Sequence, residues 1–443
     1  MSYRRIVLGQ LAEAILTGEQ SEAGIRASIA WCLGIAEHNA AGIAEEVVPA
    51  FDFPYQGRNA TALARFLAQS PTLIELSQKS RLRLYRWPVK AFHPHTPLIE
   101  RFDLPQWPDL ASLGLWCQLS PGDLDWYSQR FLHQNTHKLQ HYHYHTLPKS
   151  NGALRLLETP KQRLKWIQGK LNQELLNKVP LHQSAHGFVA KRSVLTHSEN
   201  HVGKPWIISL DLEHFFLSVN AGRVTNVFRT LGYSNTVAKA LTGLCLNRTP
   251  EDQIRKLPNP KEKALYRAAH LPQGAPSSPA LANLCAFILD CRLAGAARWM
   301  GYEYSRYADD LVFSNHEKPT AQHINQFVKM LNTIIRSEGF CINQRKTRFM
   351  TQAQRQQITG IVVNEKRNIS RKQLKQLEAI LYNCVRHGPT SQNKSGHPRF
   401  QQHLQGKLTY YSQVNPERCR KLWQLYDQIQ WPINPAPTSG ANQ

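Results

Sequence analysis

The stretch Glu303-Tyr-Ser-Arg-Tyr-Ala-Asp-Asp-Leu-Val-Phe-Ser314 decides how the rest of the chain is read. Apolar and aromatic residues lead into the acidic pair Asp309-Asp310 and resume directly after it, the pattern of two short strands with carboxylates at the tight turn between them. An adjacent Asp pair is ordinary in a solvated turn. Flanked by apolar strands, it instead calls for a positive partner, and a hard divalent cation is the natural one because it prefers carboxylate oxygens.

A second segment, Trp206-Ile-Ile-Ser-Leu-Asp-Leu-Glu-His-Phe-Phe216, reads as a buried strand ending in Asp211 and running into two aromatics. Between the two acidic positions lies Leu271-Pro-Gln-Gly-Ala-Pro-Ser-Ser-Pro279. A strand ending in Asp, then Leu-Pro-Gln-Gly, then Tyr-Ala-Asp-Asp, in that order, resembles the palm of a reverse transcriptase.

The remaining composition agrees with a nucleic-acid enzyme. In 443 residues, 54 Lys and Arg stand against 31 Asp and Glu, a formal net charge of +23. Such an excess repels itself in a compact chain and is relieved by a polyanionic partner. No apolar run is long enough to span a bilayer, no secretion signal or lipidation motif is present, and a cytoplasmic protein with no membrane partner is expected. Eight scattered cysteines include no Cys-x-x-Cys pair, which argues against a zinc knuckle or a disulfide framework.

Along the chain, residues 1–125 read as a helical N-terminal extension, interrupted by a proline-rich connector from Arg86 to Pro108. Within it, Ser120-Pro-Gly-Asp123 offers a cap for a second short helix. Residues 126–205 form the next region. Its histidines His133, His137, His141, His143 and His145 lack an evident third metal ligand, and the last three alternate as on a polar strand face. Leu147 to Glu158 reads as a hairpin turning at Ser150-Asn151-Gly152, with Lys149 and Arg155 on opposite arms. Thr159 is expected to cap a helix with Pro160 at its first position. In His186-Gly-Phe-Val-Ala-Lys-Arg192, Gly187 permits close backbone approach, and Lys191 and Arg192 suit phosphate. One helix is expected from Ser278 to Met300. After the palm, Arg371–His387, Pro398–Gln413 and Pro416–Gln430 read as three helices rich in Lys and Arg, suited to gripping a duplex backbone.

From about Tyr142 to Gln428 the chain resembles bacterial retron-type reverse transcriptases, the group of retrons and related phage-defence enzymes. The resemblance rests on His186-Gly-Phe188, Asp211 with Phe215-Phe216, Leu271-Pro-Gln-Gly274, Tyr307-Ala-Asp-Asp310, Asn343-Gln-Arg-Lys-Thr347 and Ile358-Thr-Gly360. It implies an α+β right-hand polymerase: fingers over 126–205, a palm with an antiparallel sheet over 206–365 with a fingers insertion around 220–270, a helical thumb over 366–431 and a disordered tail over 432–443. It also implies RNA-directed DNA polymerase activity on a cognate structured non-coding RNA, with deoxynucleotides as substrates, an RNA–DNA hybrid as product, an effector protein as a further partner and a role in anti-phage defence.

The same resemblance assigns residues. Asp211, Asp309 and Asp310 would ligate two Mg2+ ions, with Mn2+ as an alternative. Lys346 matches a lysine kept near the departing pyrophosphate. Lys149 and Arg155 match the hairpin cations that hold the triphosphate, and Phe216 stands at the steric gate against a 2′-hydroxyl, although one of Phe215 and Phe216 is expected in the core. Gln273 and Gly274 would meet the nucleotide, and Lys191, Arg192 and Tyr307 the nucleic acid. The chain departs from the retron pattern at His197-Ser-Glu-Asn-His201, where Asn-Ala-x-x-His is typical, and at Leu217, where proline is usual. Two other readings are a group II intron-type reverse transcriptase and a catalytically silent RNA-binding protein. Missing maturase and endonuclease extensions count against the first, and the intact carboxylates against the second.

Overall fold

The computed structural model describes residues 3–17, 21–50, 60–79, 98–128, 141–148 and 154–431. Lys149, the hairpin tip at Ser150-Asn151-Gly152, His133, His137 and the tail from 432 onward lie outside the described residues. The chain divides into two compact units, Met1–Leu181 with His214–Phe287, and His182–Glu213 with Ile288–Gln443.

The first unit is mostly helical. Its opening helix, Tyr3–Thr17, packs against Glu22–Leu33 and Ala60–Gln69. Buried Leu11 and Ile15 on the first, and Ile25 and Ile29 on the second, stand at the four-residue spacing of an apolar helix face. The helices Leu110–Cys117 and Pro121–Tyr127 are separated where the Ser-Pro-Gly-Asp signal predicts, and Ser120 caps the second. On the helix Gln162–Glu174, Arg163 donates to the carbonyls of Cys117 and Gln118 and Lys170 to that of Trp116. Cations placed on the orphan carbonyls of a helix C-terminus complement its negative end, so these residues fasten the segment 98–128 to its unit.

Strands β1 (Tyr142–Pro148) and β2 (Leu154–Pro160) form an antiparallel hairpin. His143 and His145 stand exposed on β1, as the alternation predicts, whereas His141 is buried and its Nε2 lies 3.1 Å from the Trp126 carbonyl. Thr159 and Pro160 do not start the following helix. Pro160 is the register partner of Tyr142 at the end of β2, and the helix begins at Gln162 with Lys161 as its N-cap. Strand pairing across the hairpin thus overrides the local Thr-Pro helix signal.

The second unit is built on four antiparallel strands: β3 (Trp206–Asp211), β4 (Tyr302–Tyr307), β5 (Asp310–Asn315) and β6 (Arg348–Thr351), in the order β4-β5-β3-β6. One sheet face carries Tyr302, Tyr304 and Phe313. The helix Ala321–Ser337 covers it with Phe327, which stacks on Tyr302 at 4.1 Å and meets Phe313 edge-on at 5.3 Å. Because side chains alternate, the opposite face carries Ile207 and Val312, and it continues into an apolar core with the helices Arg371–His387, Phe400–Val414 and Pro416–Asp427. A two-stranded hairpin, β7 (Gln357–Ile358) and β8 (Ile361–Val362), adds Ile358 and Ile361 to that core, with Thr359 and Gly360 at its positive-φ tip.

Instead of one helix from Ser278 to Met300 there are two, Ser278–Cys285 and Phe287–Trp299, parted at Ala286, which leaves helical geometry (φ −90°, ψ 2°). The eight cysteines form no disulfide and five are buried, as reduced core residues. No single helix among the described residues is long and apolar enough to cross a membrane.

Candidate active site

The two acidic segments meet in the sheet of the second unit. Asp211 at the end of β3 is the register partner of Asp310 at the start of β5, and the Leu212 N–H donates to the Asp309 carbonyl at 2.9 Å. Directly opposed residues on antiparallel strands face the same side, so both carboxylates stand on one face of the sheet. Between β4 and β5, Tyr307 pairs with Asp310, leaving Ala308-Asp309 as a two-residue turn. Ala308 adopts φ 57°, a left-handed value that costs a non-glycine residue on the order of 1 kcal/mol. Surrounding structure therefore has to impose it.

Two contacts do so. The buried guanidinium of Arg306 donates to the Ala308 carbonyl at 3.1 Å while forming a two-pronged pair with Asp290, Nε to Oδ1 at 2.8 Å and Nη2 to Oδ2 at 2.6 Å. The Tyr304 hydroxyl also donates to Asp290 Oδ1, at 2.8 Å. From the other side, the backbone of Gly187 presses on the turn so closely that a Cβ there would lie 2.5 Å from the Ala308 nitrogen. The close approach foreseen at Gly187 is thus to the acidic turn itself.

Asp211 is nearly buried, and its oxygens are engaged: Oδ2 accepts from Lys346 Nζ at 2.8 Å, and Oδ1 accepts from Asn343 Nδ2 at 3.2 Å. The Asn343 N–H in turn donates to the Asp211 carbonyl at 2.7 Å. A single 3-10 turn, Gln344–Lys346, delivers the lysine. Burial opposes the charge on Lys346, but its bond to Asp211 and the charges of all three carboxylates carry its pKa above the ordinary value. Asp310 shows the opposite strain. Burial first, then the neighbouring charges of Asp309 and Asp211, push its carboxyl up to about 6, against partial relief from Lys346 and Arg348.

Three carboxyl groups crowded until one resists ionisation form a place where added positive charge is stabilising. The donors are all oxygen, the type that hard divalent cations take. Among the described residues, no three His, Cys, Asp or Glu side chains already close into a metal shell. The chemistry of the set fits such an ion, and Lys346 contributes one positive charge beside it.

Next to the turn, on the sheet face that carries Tyr307, sits a group of three histidines; motif reading takes in His186 only within His186-Gly-Phe188, and His197 and His201 only as a departure from pattern. His201 bridges the two strands, Nε2 to Ser305 Oγ and Nδ1 to Ser314 Oγ, both at 2.7 Å. His197 reaches the same Ser305 hydroxyl at 2.8 Å and its ring lies 5.8 Å from that of Tyr307. His186 contacts Thr196 Oγ1 at 2.9 Å. Burial is the main cause that lowers all three, His186 to about 4, His197 to about 2 and His201 to about 3, with nearby positive groups adding to it. They are neutral hydrogen-bonding struts rather than acids or bases. The one signal available was the four-residue spacing of His197 and His201 on the short helix Val194–Glu199 and its end.

The other expected residues are distributed as follows. In the second unit, Lys191 is exposed, whereas Arg192 spends Nη1 on the carbonyls of its own loop at His182, Gln183 and Ala185. Tyr307 is partly exposed on the strand leading into the turn. Arg155, Phe216, Gln273 and Gly274 belong to the first unit. Arg155 is exposed on β2 opposite Leu147. Phe215 is buried and Phe216 partly exposed, which separates the two aromatics into core and surface. Leu217, where the retron pattern has proline, packs into a small core with Leu156, Ile254, Leu257 and Tyr266.

Comparison with known proteins gives consistent matches. Residues 147–363 match the family model described as reverse transcriptase (RNA-dependent DNA polymerase). The retron Mx65 reverse transcriptase of Myxococcus xanthus is 35% identical over 333 residues, covering 74% of this chain and 74% of that protein. The retron Mx162 enzyme of the same organism is 30% identical, covering 72% and 66%, and the retron Ec86 enzyme of Escherichia coli is 31% identical, covering 67% and 85%. A solved telomerase of Candida albicans, in complex with a fragment of telomeric RNA, aligns at a TM-score of 0.36 and 12% identity over 72% of this chain and 66% of that one. The mixture of helices and antiparallel sheet is that of a right-hand polymerase, and the matched family consists of divalent-metal-dependent polymerases that act with an RNA template. With relatives of this identity matched over most of their length, the chain belongs to the retron-type reverse transcriptases and is an RNA-directed DNA polymerase.

Proposed function

We propose that this polymerase copies a cognate structured non-coding RNA into DNA, consuming deoxynucleotides and leaving an RNA–DNA hybrid, and that it serves in anti-phage defence with an effector protein as partner. The observation that carries the catalytic part is the facing of Asp211 and Asp310 across β3 and β5, with Lys346 on Asp211. The defence role, the template and the cytoplasmic setting follow from kinship with retron enzymes.

In this reading Asp211, Asp309 and Asp310 are the ligands of two divalent ions, Mg2+ by preference and Mn2+ as an alternative. Bound there, the ions supply activation of the primer 3′-hydroxyl and neutralisation of the leaving pyrophosphate. The chain's own residues do the rest by positioning and charge. Asp211 and Asp310 orient from adjacent strands, and Lys346 donates to the developing negative charge of the pyrophosphate. Lys149 and Arg155 hold the triphosphate, Gln273 and Gly274 line the nucleotide, and Phe216 excludes a 2′-hydroxyl. Lys191, Arg192 and Tyr307 contact the nucleic acid. The corresponding domains are an extension over 1–125, fingers over 126–205, palm over 206–365 and thumb over 366–431.

Incorporation of deoxynucleotides on a primed RNA with Mg2+ tests the catalytic reading. Activity in the native protein that disappears in the Asp309→Ala, Asp310→Ala double substitution supports it, and activity that survives the double substitution refutes it. Sequencing the nucleic acid that copurifies with the protein tests the template. A single recurrent structured RNA with its DNA copy is expected, and a random sample of cellular RNA would count against a dedicated template.

A further inference from the structure

Glu158, on β2 of the first unit, is completely buried, yet no motif gives it a role. Its side chain gathers three partners. Oε1 accepts from Asn247 Nδ2 at 2.9 Å and from Thr249 Oγ1 at 2.7 Å, and Oε2 lies 2.8 Å from Nε2 of His270, a ring that is also completely buried. His270 immediately precedes Leu271-Pro-Gln-Gly274. The backbone of Glu158 reaches the other end of the same loop. Its N–H donates to the Gln273 carbonyl at 2.8 Å, and its carbonyl oxygen lies where a Cβ on residue 274 would come within 3.1 Å. Gly274 also has φ 128°, a conformation that side chains rarely adopt, so glycine alone lets the loop lie this close to β2.

The loop from His270 to Gly274 therefore hangs at both ends from one residue. Its first end is steadied further by paired backbone bonds between Asn247 and His270, each 3.0 Å. His270 Nδ1 lies 2.8 Å from the Ala268 carbonyl, an acceptor, so that nitrogen carries a hydrogen. The contact between Nε2 and Oε2 then requires one further proton, held by either the ring or the carboxyl. Glutamine at 158 would satisfy the same partners without it, because its amide N–H can donate to a neutral ring and its oxygen can accept from Asn247 and Thr249.

We propose that Glu158 is a positioning residue for nucleotide binding, which with His270 fixes the Gln273-Gly274 backbone to the strand that bears Arg155. This rests on the reading that Gln273 and Gly274 contact the incoming deoxynucleotide. Removing the tether lets the loop shift, so nucleotide affinity falls more than the rate of the bonded complex.

The test combines steady-state kinetics on a primed RNA with amide hydrogen exchange on peptides spanning 154–160 and 268–276. Glu158→Ala should raise the KM for deoxynucleotides about tenfold with kcat within about threefold, while Glu158→Gln stays within about twofold of the native KM. Thr249→Val loosens the same carboxylate without touching the loop, and it should lower the melting temperature and leave KM unchanged. Exchange in both peptides should quicken in Glu158→Ala and not in Thr249→Val. Where Glu158→Ala does not fold, His270→Phe is read in its place. An unchanged KM, a rise shared equally by Thr249→Val, or unaltered exchange overturns the proposal. Should the native protein incorporate no nucleotide, the catalytic reading falls, and the exchange data alone decide whether Glu158 holds the loop.

Discussion

Lys346 Nζ lies 2.8 Å from Asp211 Oδ2, so an ammonium sits directly on a carboxylate that is proposed as a metal ligand. In the proposed reading, a divalent ion at Asp211 would share it with that ammonium. Lys346→Ala should therefore saturate with Mg2+ at a concentration about threefold lower, the modest figure expected for a lysine whose side chain is 60% exposed and screened by solvent. The maximal rate should fall in the same variant, because the positive charge proposed for the leaving pyrophosphate is gone. Activity measured against Mg2+ concentration checks both effects.

Asp290 and Arg306 form a fully buried pair that holds the acidic turn through the Ala308 carbonyl. Asp290→Asn leaves a buried guanidinium without its counter-charge and should cost about 3–5 kcal/mol of stability. Replacing both, with Asp290→Leu and Arg306→Met, should restore much of that stability while activity stays low, since the tether to Ala308 remains absent. Denaturant midpoints together with incorporation rates separate stability from positioning.

The three buried histidines bind protons less readily in the folded chain than in the unfolded one, their pKa values falling to between about 2 and 4. Below the unfolded value near 6.5 the unfolded chain takes up more protons, so stability declines as pH falls. The urea midpoint should drop markedly between pH 7 and pH 5. His197→Gln should flatten that dependence, having one such group fewer, and a midpoint equally steep in the variant would contradict the assignment.

Asp310 works in the reverse sense. With its carboxyl raised to about 6, the folded state holds more protons than the unfolded one between about 4 and 6, so its contribution to stability falls as pH rises through that window. In chelator at pH 8, Asp310→Asn should be more stable than the native chain by up to about 2 kcal/mol, a gain that shrinks toward pH 4. Thermal melts at both pH values give the difference.

Phe216 keeps part of its ring exposed while Phe215 is buried. Phe216→Ala should increase ribonucleotide incorporation relative to deoxynucleotide incorporation by at least about tenfold, as expected when a clash worth more than about 1.4 kcal/mol is removed. A Phe215→Ala variant should mainly lose stability. An unchanged ratio of sugar use in Phe216→Ala would remove it from the gate.

What could be read from sequence depended on how local the cause was. The hairpin around Asp309-Asp310 announces itself by apolar runs on both sides of a two-residue turn. The helix Arg371–His387 ends at Gly388-Pro389, where its breakers stand. The start of the helix after β2 is not legible locally because Pro160 answers to Tyr142 across the hairpin, and the break at Ala286 carries neither glycine nor proline to mark it. The histidine struts beside the site are only faintly marked in the sequence, for a related reason. Ser305, Ser314 and Arg306 sit in plain view in the deciding stretch, but their partners His197, His201 and Asp290 become meaningful only once the chain has folded back on itself.

The crowding of Gly187 against the Ala308 nitrogen has a consequence for how this protein can vary. The obstacle is an atom of the main chain, which every amino acid carries, so no exchange of side chain at 308 can make room for a methyl group at 187. A saturation library at that codon should return one survivor, and a search for suppressors within the turn should come back empty.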